Sequence, residues 1–586
     1  MDARLDPVTA SVVEHGLLSV TDEMATVVVA TAYSPLVRDL YDFTVALCNP
    51  RGEMVVQGVG MAIHLGALPS AVESILKKFP GASMKPGDVY IMNDAYSGGM
   101  HLPNVILLAP CYASGDLLAY AVMMCHHTDV GGHVPGSVPV NSRDVFGEGL
   151  RIAPMRLERD GARDQTLLSL IETNTRLPRD FFGDLESQVS ACRTAERRVA
   201  SIAARYGNPT ILAAMEGLLE RSERMARAEI AALPDGEYSF EEFLDNDGMD
   251  GPPQRLFVTL KIKGDELTAD FTGTAPQVPT AINSPLAYSR SAFYLTVRSI
   301  MSQEIPNTAG FFRPLKMVAP EGTLINPAFP GAVGAMGVTG YRLTDCIYGA
   351  LAKAAPHKVR AASEGGTTRY TFGTSVGGKP SILSEALVGA WGGHARHDGI
   401  DGVANIAANM ANSPVEMVES TYPVMVEEYG YEPDSEGAGR RRGGLGVRRR
   451  VRLLAPQGGV LQLRSGRSQQ RPWGFNGGQQ GTSCKNLLNP GTPQEKALRG
   501  LETLHVPADT VYLHVTPGAG GYGPPQEREP ELVARDVLDG KISVSRARDV
   551  YRVAVSKEGT VDTRETARLR GGCGSFERCR ATGTSL

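Results

Sequence analysis

The 586-residue chain carries 59 Lys and Arg against 64 Asp and Glu, a formal charge of -5, and is 42% hydrophobic and 21% charged. That balance excludes a disordered or fibrous chain, and slight acidity gives no reason to expect nucleic acid or anionic lipid as a partner. A run of about 18 apolar residues, the least that spans a bilayer, does not occur. MDARLDPVTA also lacks the basic-then-apolar plan of a secretory signal. Eight cysteines are scattered; Cys573 and Cys579, the only close pair, have a spacing that suits neither a zinc knuckle nor a redox CxxC. Reduced thiols in a cytoplasmic protein are expected.

In chain order, Asp6 and Pro7 start a helix, a capping carboxylate followed by a residue that needs no amide partner. Val8, Val12, Val13, Leu17, Leu18, Met24 and Val27 carry helical spacing to about Ala32. From Tyr41 the pattern alternates, Phe43, Val45 and Leu47 against Asp42, Thr44 and Ala46, which predicts a strand. VYIMN (89–93) and LLAYAVMMC (117–125) predict two more, the second apolar on both faces and therefore central. Two charged, packed helices are expected between about 165 and 230. RLFVTLKIKGDELTADFTG predicts a hairpin turning at Gly264-Asp265, and short strands alternate with Gly/Pro/Asn loops thereafter. The expected class is α+β (mixed α/β) and multi-domain, with mixed sheets, a helical segment in the N-terminal third and a strand-rich C-terminal half. Expected divisions are an α/β domain over 1–232, a strand-rich one over 233–360 and a β-rich one over 361–586.

Several motifs fail on context. Gly518, Gly520 and Gly523 fit G-x-G-x-x-G after a strand, but Pro524 and Pro525 follow where a dinucleotide site needs a helix N-terminus. Gly373, Ser375 and Gly377 fit a nucleophile elbow, yet Gly378-Lys379-Pro380 and another strand follow, so a hairpin is predicted. There is no G-x-x-x-x-G-K-[ST] and hence no P-loop. The basic run 439–453 alternates Arg448, Arg450 and Arg452 with Val447, Arg449 and Val451, a strand with one solvated face.

Four of the eleven histidines lie within 101–133. NDAYSGGMHLPN (93–104) puts His101 in a glycine-rich loop after one strand; HHTDVGG (126–132) puts His126, His127 and Asp129 at the end of the next; Asp42 opens an earlier one. If these strands neighbour one another, the segments converge on one sheet edge. Two imidazoles and a carboxylate are a ligand set for Zn²⁺, Mn²⁺ or a similar ion, and an open position there can deliver a nucleophilic water near neutral pH. The alternative is hydrogen-bonded structural histidines, since the separation of His101 from His126 is no metal signature in itself. His394, His397 and Asp398 form a second cluster, read as a loop satisfied by its own backbone, with substrate contact as the second reading.

NDAYSGGMHLPN, HHTDVGGHVPGS with FGEGLRIAP, DFTGTAPQV with NSPLAYS, ESTYPVMVEEYGYEPDSEGAGRRRGGLG and TPGAGGYGPPQERE with DVLDGKIS resemble the hydantoinase B/oxoprolinase family, in its order, from about residue 5 to 570. That family includes the B subunits of ATP-dependent N-methylhydantoinase and caprolactamase, the second half of 5-oxoprolinase, and the metal-bearing subunits of acetone and acetophenone carboxylases. The resemblance implies a divalent ion (Zn, Mn or Mg) held by Asp42, His101 and His126. His127, Asp129 and Glu148 are the implied acid/base or supporting groups. Members often carry Asp where this chain has Asn104, and an amide oxygen is the weaker ligand. ATP would bind not here but on a hydantoinase A-type ATPase partner, in an A2B2 assembly by analogy. That partner would phosphorylate the carbonyl of a hydantoin, 5-oxoproline or lactam ring for opening on this subunit. The second reading is the metal-bearing subunit of an ATP-dependent ketone carboxylase, and the third a non-catalytic scaffold for an ATPase.

Overall fold

Asp6 accepts a hydrogen bond from the Thr9 amide at 2.9 Å, Pro7 takes the first helical position, and the helix so begun runs Pro7–Thr31. The computed structural model describes residues 5–571 apart from residues 65, 366 and 367, so Cys573 and Cys579 lie outside the described residues. The six other cysteines are buried free thiols.

Seven antiparallel strands form the first sheet: β1 (Phe43–Cys48), β2 (Met54–Gln57), β3 (Val89–Met92), β4 (Asn104–Ala113), β5 (Asp116–His126), β6 (Met155–Arg159) and β7 (Ala162–Arg163). Their order is β2-β1-β5-β4-β3-β6-β7, so β5 is interior as its sequence predicts. Phe43, Val45, Val105, Leu107, Met123 and Cys125 point to one face, into a core shared with helices Pro7–Thr31 and Pro178–Tyr206. Ala46, Ile106, Leu108, Val122 and Met124 point to the other, against helices Leu68–Lys78 and Leu286–Ser299. Covering both faces is what makes β5 read as a continuous apolar run. The two expected helices are Pro178–Tyr206 and Asn208–Ala231, parted at Gly207 (φ +82), and a shorter one, Gln165–Asn174, precedes them.

The second sheet, β8 (Gly236–Leu244), β9 (Gln254–Lys263), β10 (Glu266–Asp270) and β11 (Leu315–Val318), has the order β11-β10-β9-β8. Its β9–β10 hairpin turns at Gly264 (φ +60), as predicted. Helix Gly337–Ala354 packs on β8 and β9, is buried along nearly its whole length, and joins this sheet to the first in one core.

Among the described residues nine strands follow: β12 (Thr368–Val376), β13 (Lys379–Leu387), β14 (Val424–Tyr431), β15 (Val447–Leu453), β16 (Gly459–Arg464), β17 (Lys485–Leu488), β18 (Lys496–Ala497), β19 (Leu501–Val506) and β20 (Val511–Val515). They pair as β13-β12-β16-β19 and β14-β15-β20-β17-β18, and Tyr370, Phe372, Leu461 and Leu463 of one sheet meet Val451, Leu453 and Tyr512 of the other in a sandwich core. The alternation then forces Arg369, Thr371, Gln462 and Arg464 onto the opposite face of β12 and β16, toward the first sheet. The class is thus α+β and multi-domain, as expected. Among the described residues no helix is long and apolar enough to cross a membrane.

Candidate metal centre

The register of the first sheet does what the strand pattern anticipates. β5 lies between β1 and β4, with Phe43 opposite Cys125 and Asn104 opposite His126. Asp42 precedes β1, His126 ends β5 and Asn104 begins β4, so all three stand at one edge. The His126 amide donates to the Asp42 carbonyl at 3.0 Å, and the Asn104 amide to the His101 carbonyl at 2.9 Å. Asp42, His101, Asn104 and His126 line one cavity of about 590 Å³, a volume that includes space open to solvent. Its other walls come from His64, from Tyr288 and Tyr341 on buried helices, and from Glu364, Arg369 and Arg464 beside and within the sandwich sheet.

Each imidazole there is neutral. Burial pushes His101 down to about 3, and the Arg464 and Arg369 charges act the same way against the raising effect of its Gly334 contact. His126 is held well below its ordinary value, by burial first and Arg369 second. His101 Nδ1 donates to the Gly334 carbonyl at 3.0 Å, which leaves Nε2 with its lone pair, the tautomer of a metal ligand steadied by a backbone oxygen. His126 Nε2 accepts from Arg369 Nη1 at 3.2 Å, and its buried Nδ1 has no partner among the described residues. Asp42 receives Arg369 Nη2 at 3.3 Å. Burial raises its carboxyl, and Arg369 opposes that rise.

Among the described residues, no three His, Cys, Asp or Glu side chains form a ready cage for an ion. The Arg369 guanidinium bridges Asp42 and His126, seating positive charge between two of the three expected ligands. The donor set nonetheless suits a divalent cation. It comprises two neutral imidazoles on adjoining segments, ring centres 4.9 Å apart, and the buried Asp42 carboxylate.

The other three expected residues lie off the cavity wall. Asp129 accepts from the Gly131, Gly136 and Arg176 amides and from the Arg176 side chain, a structural knot that ties down the loop after β5. His127 points to the other face of the sheet, where Nε2 meets Gln188 Oε1 at 2.9 Å and the ring packs on Phe181. Glu148 accepts from the Val333 and Gly334 amides at 2.8 and 2.6 Å, so it braces the segment just before the Gly334 carbonyl that holds His101. Its place is behind His101, off the cavity wall. Asp398 of the second histidine cluster is taken by Arg528 and the Arg442 amide, and His394 stacks on His397 away from the cavity. Sequence reasoning missed Arg369 and Arg464. The alternation in TRYTFG and LQLR places them opposite the apolar face, which reads as solvent when the covering domain is unknown.

The rejected motifs behave as predicted. Gly373–Gly377 lies in the β12–β13 hairpin, with Gly377 and Gly378 at positive φ in its turn. The glycines at 518–521 are packed backbone to backbone with no helix opening at them; a Cβ on Gly518 would meet the Ser435 carbonyl at 1.8 Å.

The hydantoinase B/oxoprolinase family model matches residues 6–525. A Pseudomonas sp. (strain NS671) chain, provisionally named as the B-type component of a D-/L-hydantoinase, is 34% identical over 584 residues, covering 97% of this chain and 98% of that one. The caprolactamase β chain of Pseudomonas jessenii is 30% identical over 587 residues, 96% of this chain and 98% of its own. The crystal structure of the ATP-dependent caprolactamase from that organism superposes with a TM-score of 0.90 at 27% identity, covering 97% of this chain and all of that one. An acetone carboxylase structure shares the fold, with a TM-score of 0.89 at 18% identity over 97% of this chain and 82% of that one. This chain is a member of the hydantoinase B/oxoprolinase family.

Proposed function

We propose that this chain is the hydrolytic, metal-bearing B-type component of an ATP-dependent cyclic amidase that opens a hydantoin, 5-oxoproline or lactam ring with an A-type ATPase partner. The observation that carries this reading is the meeting of Asp42, His101 and His126 on one buried cavity in a chain of this family. A ring amide is a poor electrophile. Phosphorylation of its carbonyl oxygen by the partner makes the ring carbon attackable; one water adds there and the C–N bond breaks to give the amine and an acyl phosphate, and a second water releases inorganic phosphate and leaves the carboxylate.

His101, His126 and Asp42 would hold the ion, which would supply Lewis acidity and nucleophilic water near neutral pH. His101 is oriented by the Gly334 carbonyl, and Glu148 fixes the segment just before it from behind. Arg369 holds the Asp42 carboxylate and the His126 ring in place. Met61, Ile63, Met336 and Leu387 give the cavity an apolar lining around the position of a phosphorylated amide.

The test is co-purification with a hydantoinase A-type ATPase subunit from the same source, then assay of ATP-dependent opening of hydantoin, 5-oxoproline and caprolactam. Bicarbonate-dependent ATP use with ketones is run in parallel. Ring opening, with metal content and activity both lost in His101→Ala and His126→Ala, is the expected result. Ketone carboxylation in place of ring opening, or metal content unchanged in both variants, overturns it.

A further inference from the structure

Arg369 and Arg464 stand directly opposite each other on the antiparallel pair β12–β16. Like charges in that position repel at a range where side chains touch, and both residues are buried, with 6% and 7% of their surface exposed. Arg369 has Asp42 and His126 as partners. Arg464 has no ion pair or side-chain hydrogen bond among the described residues, and its Nε is buried without a partner. Glu364, on the same wall, is not free. A buried guanidinium is destabilising unless something compensates it, and a second one opposite deepens the cost. Burial first, and repulsion from Arg369 second, pull the Arg464 guanidinium down to about 10, still charged at neutral pH.

The two guanidiniums line the cavity that holds His101 and His126. Planar, fixed forks of donors match the oxygens of a phosphoryl or carboxylate group. We propose that Arg464, with Arg369 beside it, forms an oxyanion seat that binds the negatively charged group of the substrate next to the histidines. Resting on the cyclic-amidase reading, that group is the phosphoryl of the activated amide or a carboxylate carried by the ring. Arg464 is then a binding residue that places the reacting carbon.

The experiment uses the full chain, alone and with its A-type partner. Calorimetry measures inorganic phosphate, methyl phosphate and acetate binding to wild type, Arg464→Met and Arg464→Lys, with far-UV circular dichroism and melting recorded for each. A Kd at least tenfold weaker in Arg464→Met, recovered within about threefold in Arg464→Lys, is expected. Preference for the phosphates assigns the seat to a phosphoryl group, and equal acetate binding assigns it to a carboxylate. In wild type, phosphate is expected to shield Arg464 from phenylglyoxal, read by peptide mass, which keeps the test open should Arg464→Met not fold. No oxyanion binding in wild type, or equal binding in Arg464→Met, overturns the seat. Because binding needs no turnover, Arg464-dependent binding in a two-component complex that opens no ring would retire the amidase reading and leave the seat.

Discussion

Glu148 is buried behind the His101 support, and burial pushes its carboxyl up to about 8 against the lowering pull of two backbone amides. The unfolded carboxyl ionises near 4.5, so between those values the folded chain keeps a proton that the unfolded chain has lost. Stability therefore falls as pH rises through that window, by at most about 1.4 kcal/mol per unit. Glu148→Gln, which keeps an acceptor for both amides but cannot ionise, is expected to remove this slope. Urea midpoints at pH 5 and pH 8 measure it, and parallel profiles for the two proteins would refute the assignment. At Asn104, opposite His126, a carboxylate would bury an unpaired charge beside Asp42. Asn104→Asp is expected to lower the melting temperature of the metal-free chain and to tighten Zn²⁺ or Mn²⁺ binding at least tenfold by competitive chelation. Unchanged affinity would show that position 104 does not face the ion.

At the scale of elements, the alternation in 447–453 is a strand with Val447, Arg449, Val451 and Leu453 buried. The sequence predicts one solvated face, that of Arg448, Arg450 and Arg452, and these three are indeed only half-buried. What alternation does not reveal is that Arg449 finds Glu385 at 3.0 Å with both side chains wholly buried. Removing Arg449 leaves the buried Glu385 charge with only the Tyr370 hydroxyl among the described residues, so Arg449→Ala is expected to destabilise the sandwich by about 3–5 kcal/mol by urea unfolding. A loss under about 1 kcal/mol, the scale of an exposed pair, would mean water reaches Glu385. The β12–β13 turn offers a milder check. Gly377 has φ +56 and open space where a Cβ would stand, so only backbone strain opposes a side chain. Gly377→Val is expected to cost about 1–2 kcal/mol and Gly377→Asn much less. Ser375→Ala, in the same hairpin, is expected to leave activity unchanged; a collapse of turnover would revive the nucleophile-elbow reading.

For the whole molecule, the reaction proposed needs a phosphoryl donor that this chain has no P-loop to hold. The full chain alone is expected to open no ring at a measurable ATP-dependent rate, and to gain activity on addition of its A-type partner. Dialysis against a chelator is expected to abolish ring opening in the complex, with recovery on adding back one divalent metal. ATP-dependent activity of the chain alone would contradict the division of labour.

By itself, the sequence determined what depends on neighbours along the chain. The cap at Asp6, the alternation around Asp42, the apolar run ending at His126, and the hairpins at Gly264 and Gly377 are all set by capping, periodicity and turn geometry. Those patterns place Asp42, His101 and His126 at or beside strand ends, but that these ends meet was decided by the sheet order that sets β5 between β1 and β4. Tertiary structure decided everything that depends on what covers a face. Arg369 and Arg464 sit at positions that local patterning assigns to water, and only the packing of the sandwich against the first sheet turns that face into a cavity wall. Likewise, His127 and His126 are adjacent in sequence, but the pleat sends them to opposite faces, and only the register of β5 between β1 and β4 says which one meets His101.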